Sequence, residues 1–295
     1  MQERELCTAH AMDSSVNDAL LNEAGHLVGV MREYRRLCAL HGSERIELEI
    51  RLGLLTELPE RRFHAGVPKD TYDQIESEML ETASLRADGT YKEMVDYHYA
   101  DPSGRRIRTR VVFDTDEIDI KKEHVCKQVV MSAIAVCETD TKECARISLC
   151  VENLVTNPPD SCLPNHVRTK QRRCFRRCEN EHVTWSYELS RTWSGNSRTS
   201  VEHKQNMCEP CYEVECELQD DSGHYLDSHS DMYMAHSLLI KVQALLGLPH
   251  NSCVDIQLDR VGRSSCKKRR SRRRCDESAH PKSRCARADS QSTDV

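Results

Sequence analysis

The chain has 295 residues, a net charge of −6, 31% charged residues and only 5% aromatic residues. This length is enough for one large domain or two small ones with a sizeable core. No apolar run approaches the length of a membrane span, and the N-terminal segment MQERELCTAH lacks the apolar region of a signal peptide. These features exclude an integral membrane protein with spanning helices and predict an intracellular protein.

The sixteen cysteines are irregularly spaced in a long chain, which favours reduced thiols over a disulfide framework. Cys174 with Cys178 and Cys208 with Cys211 have spacings that zinc sites use, and four thiolates would form a structural site if their strands were adjacent. Neither pair has the glycine or aromatic context of a zinc knuckle. Packing of these cysteines as small apolar side chains is therefore the favoured interpretation.

A helix and a strand open the recognisable part of the chain. Apolar residues recur every three or four positions over residues 12–40, which predicts a helix that ends at His41 and Gly42. The segment IELEIRLG, residues 46–53, then alternates like a strand. Its polar face carries Glu47, Glu49 and Arg51. Taken alone, this segment predicts a half-exposed strand with a solvated charged face.

The rest of the chain is mostly strand. Two further helices are predicted, over residues 68–84 and 236–248. Turn signals such as DPSG and NPPD separate the candidate strands, which are 91–99, 105–113, 117–125, 128–136, 145–152, 166–176, 183–191 and 211–218. After residue 262 the apolar rhythm stops. We predict one domain over residues 1–262 and a disordered basic tail over 263–295, where eleven Lys and Arg stand against four Asp and Glu.

A second acidic strand face occurs late in the chain. YEVECEL, residues 212–218, places Glu213, Glu215 and Glu217 on one face. Two strands that each devote a face to glutamates would repel each other if they paired in water. Their pairing makes sense if divalent cations and basic side chains neutralise them.

Two basic strand faces complement the acidic ones. RTKQR, residues 168–172, aligns Arg168, Lys170 and Arg172, and RRIRTRVVF aligns three arginines that end at Arg110. Many short strands with one charged face predict a closed β-barrel with a polar interior. Glutamates gather a hard divalent cation, and Arg and Lys bind phosphoryl oxygens. Metal-assisted attack on a polyphosphate uses both sets.

Five segments, in the order IELEIRLG, RISLCVE, RTKQRRCF, WSYELS and YEVECEL, carry a family resemblance. Over roughly residues 28–220 the sequence resembles the metal-dependent RNA 5′-triphosphatases of fungal, protozoan and large-virus mRNA capping, within the triphosphate tunnel metalloenzymes. The resemblance implies a mainly β (α+β) fold, a closed antiparallel eight-stranded β-tunnel with flanking helices. It also implies Mg²⁺ or Mn²⁺ and hydrolysis of the β–γ phosphoanhydride of triphosphate-ended RNA.

The resemblance also implies roles for individual residues. It implies that the direct metal ligands are Glu47, Glu49 and Glu217. Glu215 would hold metal-bound water, Glu213 would orient a basic side chain, and Glu152 would position the attacking water. The residues expected to contact the phosphates are Arg168, Lys170, Arg172, Arg110, Arg146 and Arg51, with a further basic position that is either Lys121 or Lys122. Glu188, in the segment ELS, stands where the family usually has Asp in a D-x-T motif.

The resemblance also implies partners for this chain, and alternative functions stay open beside it. The implied partners are the 5′-triphosphate end of nascent RNA and a capping guanylyltransferase. The latter would be a separate polypeptide, because no KxDG motif of nucleotidyl transfer occurs in this chain. The basic tail predicts a nuclear-import signal or a non-specific RNA contact, and hence the nucleus. Monomer and homodimer both stay open. The alternative functions are a small polyphosphate hydrolase (inorganic tripolyphosphatase or thiamine triphosphatase) and a non-catalytic polyphosphate- or RNA-binding module.

Overall fold

The structure is a computed structural model that describes residues 14–56, 62–87, 89–100, 105–113, 121–137, 143–155, 163–178, 184–220, 224–249, 252 and 254–259. Side chains are described from residue 24 onward in the first of these ranges. The predicted basic tail of residues 263–295 lies outside the described residues.

The strands of the described residues are, in chain order, β1 (Ile46–Leu55), β2 (Phe63–Ala65), β3 (Arg86–Ala87), β4 (Lys92–Ala100), β5 (Arg106–Phe113), β6 (Lys121–Cys137), β7 (Glu143–Leu154), β8 (His166–Cys178), β9 (Thr184–Gly195), β10 (Cys211–Gln219) and β11 (Val254–Asp259). Eight of them follow the order β10-β9-β8-β4-β5-β6-β7-β1, and β1 pairs again with β10. All pairs along this path are antiparallel. The predicted closed eight-stranded β-barrel is therefore confirmed.

Three short strands extend the wall. β2 pairs with the end of β1, β3 pairs with β8, and β11 pairs with β6. The sequence predicted two strands over 117–125 and 128–136, and these are one strand, β6. Its register shifts between Val129 and Met131, which is the irregularity of a β-bulge, so the chain bends there without ending the strand.

The helices are α1 (Ser14–His41), α2 (Lys69–Glu81), α3 (Arg198–Met207), α4 (His224–Ser228) and α5 (Asp231–Leu245). The three predicted helices are present as α1, α2 and α5. α5 begins five positions before the predicted residue 236 because the Ser230 side chain caps it, accepting a hydrogen bond from the Tyr233 amide. α3 and α4 were not predicted.

The main apolar core lies outside the barrel, between its wall and the helices. Leu48 and Ile50 of β1 are fully buried, together with Leu27 of α1 and Leu238 of α5. The two helices also contact each other. Glu49, which stands between Leu48 and Ile50 in β1, faces the opposite way, into the barrel. No helix among the described residues is long and apolar enough to cross a membrane.

Gly53, near the end of β1, tests the close packing of β1 against β2. An added Cβ would lie 2.2 Å from the His64 carbonyl oxygen and 2.6 Å from the Phe63 ring. We expect Gly53→Ala to lower the free energy of unfolding by about 1–3 kcal/mol, because backbone must move to make room. Chemical denaturation measures this change.

Gly29→Ala in α1 is the matched control. Gly29 is exposed, and no atom lies within 4 Å of the added Cβ. We expect this change to raise the free energy of unfolding by up to about 1 kcal/mol, because alanine favours the helix. Equal effects of the two substitutions would contradict the packing at Gly53.

Candidate active site

The interior of the barrel is lined by charged side chains that reach past neighbouring strands. Lys127 of β6 contacts Glu47 of β1 across β7, and Arg168 of β8 contacts Glu213 of β10 across β9. Such contacts form only if these side chains point into the lumen. The charged faces that the sequence predicted for β1, β8 and β10 therefore share one enclosed space.

Glutamates from β1 and β10 meet at one place in the lumen. Glu49 is the direct cross-strand partner of Glu217, and Glu47 lies two residues before Glu49 on the same face of β1. The Lys127 ammonium lies 2.6 Å from a Glu47 carboxylate oxygen and 3.3 Å from a Glu49 oxygen. We call Glu47, Glu49 and Glu217 the carboxylate group.

The pKa shifts within the carboxylate group show that its negative charges lie close together. Burial raises the pKa of Glu217, and the carboxylates of Glu188, Glu47 and Glu49 raise it further. Burial also raises the pKa of Glu49, although Arg51 and Lys127 oppose that shift. The Glu217 carboxylate has no hydrogen bond or ion pair with another described side chain. Negative charge is therefore concentrated here beyond what the neighbouring cations neutralise.

The donor set suits a hard divalent cation. Among the described residues, no three His, Cys, Asp or Glu side chains are gathered closely enough to enclose an ion as they stand. Lys127 occupies the space between Glu47 and Glu49 instead. Carboxylate oxygens are the ligands that Mg²⁺ and Mn²⁺ prefer, and the Glu217 carboxylate, which pairs with no other described side chain, would gain most from a cation. The residues present thus fit such an ion.

The basic strand β8 faces the carboxylates of β10. Arg168 forms an ion pair with Glu213, and the Lys170 ammonium lies 3.4 Å from the second oxygen of the same carboxylate. Arg172 pairs with Glu188 and approaches Glu215 at 3.3 Å. The three predicted basic side chains therefore lie in one row, each held by a glutamate. We call Arg168, Lys170 and Arg172 the basic row.

Burial and neighbouring charges shift the pKa values of Lys170 and of the nearby Glu215. Lys170 is 2% exposed, and burial lowers its pKa to about 8 even though Glu215 and Glu213 oppose the shift. Burial alone would raise the pKa of Glu215, but the positive charges of Arg51 and Lys170 hold that pKa well below the usual range. Arg51 lies 2.7 Å from Glu215 and 3.1 Å from Glu49, so it joins the acidic strands to each other.

The strands β4 and β5, next to β8, add an ion pair that the sequence did not predict. The Arg110 guanidinium donates to both oxygens of Asp96 at 2.8 and 3.1 Å, and Asp96 is 1% exposed. Burial would raise the pKa of Asp96, but Arg110 holds it far below the usual range. In the sequence, this pair was indicated only by the position of Asp96 within the predicted strand 91–99.

Two further predicted residues, Arg146 and Glu152, also border the lumen. Arg146 lies over the Phe63 ring with its guanidinium carbon 4.5 Å from the ring centre. Glu152 lies 3.5 Å from Arg108. Lys121 and Lys122 begin β6, and their side chains lie outside the described residues. Lys127, further along the same strand, was not predicted.

The two cysteine pairs do not come together. Cys174 is on β8 and Cys211 begins β10, and β9 separates these strands. The Cys178 side chain lies outside the described residues. Cys208 and Cys211 are exposed, which contradicts their expected packing as small apolar side chains. Cys211 instead donates to the Ala65 carbonyl oxygen at 3.5 Å.

Comparison with solved structures identifies this arrangement of strands. The structure of the S. pombe Pct1 RNA triphosphatase matches with a TM-score of 0.53 and 14% identity, over 83% of this chain and 98% of that one. The chain has the fold of an RNA triphosphatase tunnel. Pct1 in complex with the Spt5 CTD matches with a TM-score of 0.52. A Mimivirus capping enzyme triphosphatase matches with a TM-score of 0.44 and 10% identity, over 77% of this chain and 97% of that one.

Sequence comparison adds nothing to this likeness, because no protein-family model and no curated protein matches the chain. The predicted resemblance is confirmed at the level of the fold, which the chain shares with the solved Pct1 RNA triphosphatase structures.

Asp96→Asn tests the pair on the tunnel wall. The amide keeps the shape but leaves the Arg110 charge without its partner, so we expect the free energy of unfolding to fall by about 3 kcal/mol at pH 7. The folded pKa of Asp96 is depressed, so its stabilising contribution is complete above about pH 4 and is lost as pH falls below that value. The difference between the two proteins should therefore shrink in acid.

Glu33→Gln is the control, because the Glu33–Arg36 pair is a surface ion pair within α1. We expect it to change stability little. Denaturation curves at pH 7 and pH 3 compare the variants, and an Asp96→Asn protein as stable as wild type at pH 7 would contradict the assigned pair.

Proposed function

We propose that the chain hydrolyses the β–γ phosphoanhydride at the 5′ end of triphosphate-ended RNA and leaves a diphosphate end for mRNA capping. One observation carries this proposal: the carboxylate group and the basic row occupy the same closed lumen. A phosphoanhydride substrate needs both, because its charge must be neutralised at several oxygens at once. The fold shared with Pct1 supports the same reaction class.

Glu47, Glu49 and Glu217 would hold the Mg²⁺ or Mn²⁺ ion. When bound, such an ion polarises a phosphoryl oxygen and orients water. Lys127, which bridges Glu47 and Glu49, would then turn its ammonium toward the substrate.

The other lumen residues bind and position the substrate. Arg168 and Arg172 of β8 present planar guanidinium groups that fit phosphate oxygens, and Arg110 of β5 presents a third. The carboxylates that pair with them, Glu213, Glu188 and Asp96, fix their orientation before substrate arrives, so little reorganisation is required. Glu152, beside Arg108, would orient the attacking water, and Glu215 would hold water near the ion.

Partners and location complete the proposal. We infer a capping guanylyltransferase as the enzyme that uses the diphosphate end, and the Pct1 complex with the Spt5 CTD supports protein partners for this fold. The basic segment CKKRRSRRRC, residues 266–275, motivates a nuclear location. Retention of the tagged full chain in the cytoplasm would contradict that location.

Glu49→Gln tests the carboxylate group. The amide keeps the shape and loses the charge, so we expect release of γ-phosphate from triphosphate-ended RNA, with Mg²⁺ or Mn²⁺, to fall by at least about a hundredfold. Glu93→Gln is the control, since Glu93 is exposed on β4 and should leave the rate unchanged. Near-normal activity of Glu49→Gln would refute the assignment of the carboxylate group.

Lys170 predicts a pH dependence. Its ammonium must be charged to bind a phosphate, and a pKa of about 8 means that charge is lost as pH rises above 8. We expect kcat/KM, which reports the free enzyme, to decline above pH 8. In Lys170→Arg the decline should move to higher pH because arginine stays protonated. An unchanged alkaline limb in this variant would rule out Lys170 as its source.

A further inference from the structure

Two histidines face each other at one end of the tunnel. His98 of β4 and His166 of β8 are register partners, and their ring centres are 5.7 Å apart with a tilt of 45°. Arg108 of β5 is the register partner of His98 on its other side. His166 precedes Arg168 by two residues on the same strand face. The pair therefore continues the basic row by one position.

The two ends of the tunnel carry different residues, and the histidines lie at the end away from the carboxylate group. Along β8, Arg168 contacts Glu213 and Arg172 contacts Glu215, so the row runs parallel to the glutamates of β10 toward Glu217. His166 extends this row in the opposite direction. It lies six residues from Arg172, about 20 Å along an extended strand. Part of a substrate that projects beyond the phosphates would reach this end.

Two buried polar atoms at this end have no partner among the described residues. They are Nε2 of His98 and Nε of Arg108. The His98 backbone is itself fixed, since its carbonyl oxygen accepts a hydrogen bond from the Asn165 amide at 2.9 Å. Buried polar atoms in native proteins are normally satisfied, so these two point to a polar ligand.

The charge state of the rings indicates the chemistry of that ligand. Burial lowers the pKa of His98 to about 4, and it lowers the pKa of His166 in the same direction, with Arg168 adding to both shifts. The rings are therefore mainly uncharged at neutral pH. Neutral imidazoles are poor phosphate ligands but stack on nucleobases, while Arg108 and Arg168 supply the charge for a phosphodiester.

We propose that His98 and His166, flanked by Arg108, bind the first nucleoside of the RNA that carries the triphosphate. This inference rests on the proposed function, because it places the RNA chain at the histidine end when the triphosphate lies along the basic row. The pair would give the site its preference for RNA over free polyphosphates. In energetic terms, it adds binding that tripolyphosphate cannot use.

The test compares two substrates in the full chain. In the double variant His98→Ala, His166→Ala, we expect kcat/KM for triphosphate-ended RNA to fall about tenfold or more, the effect of losing base stacking. Hydrolysis of tripolyphosphate should stay within about twofold of wild type, because this substrate has no nucleoside. Equal losses on both substrates, or no loss on RNA, would overturn the inference. His236→Ala, an exposed histidine on α5, is the control and should change neither.

A binding measurement separates this inference from the proposed reaction. Fluorescence anisotropy of a labelled triphosphate-ended RNA oligomer requires no turnover, so it gives an answer even if wild type hydrolyses nothing. We expect weaker binding by the double variant and near-normal binding by His98→Phe, which keeps an aromatic ring. A protein that binds RNA through the pair but releases no γ-phosphate would refute the proposed function alone. Unaltered binding by the double variant would refute the inference.

Discussion

The direct opposition of Glu49 and Glu217 across β1 and β10 is the constraint on which the tunnel depends. Like charges in that position destabilise a strand pair, and this pair is the one that closes the barrel. Lys127 and Arg51 offset the repulsion from inside the lumen. The same carboxylates that would hold a catalytic ion thus require cations for the fold itself, which ties closure of the barrel to the chemistry of its interior.

The polar lumen is possible because the apolar core lies elsewhere. α1 and α5 cover the outer face of the wall, where Leu48 and Ile50 are buried, so the barrel does not need an apolar interior for stability. Its interior can then hold charges in pairs such as Arg172–Glu188 and Arg110–Asp96. Buried ion pairs contribute little net stability compared with apolar packing, but they hold side chains in fixed positions. That rigidity suits a site that binds many phosphate oxygens at once.

Much of this arrangement could be predicted from period-two patterns, because a strand face is a local property. The acidic faces of β1 and β10 and the basic face of β8 were all predicted, and the structure places them in one lumen. Lys127 and Asp96 were missed, since their significance depends on which strands meet across the barrel. α3 and β11 were missed for a similar reason: short elements owe their stability to tertiary contacts more than to propensity. The cysteine pairs had plausible spacing, yet β9 separates their strands.

The position of a bound cation is the most direct test. A crystal grown with Mn²⁺ and tripolyphosphate would show the ion in an anomalous difference map and the phosphates in the electron density. We expect the Mn²⁺ peak at Glu47, Glu49 and Glu217, the Lys127 ammonium displaced from the first two carboxylates, and the phosphates along Arg168, Lys170 and Arg172. A Mn²⁺ peak elsewhere in the tunnel, with Lys127 still bound to Glu47 and Glu49, would contradict this arrangement.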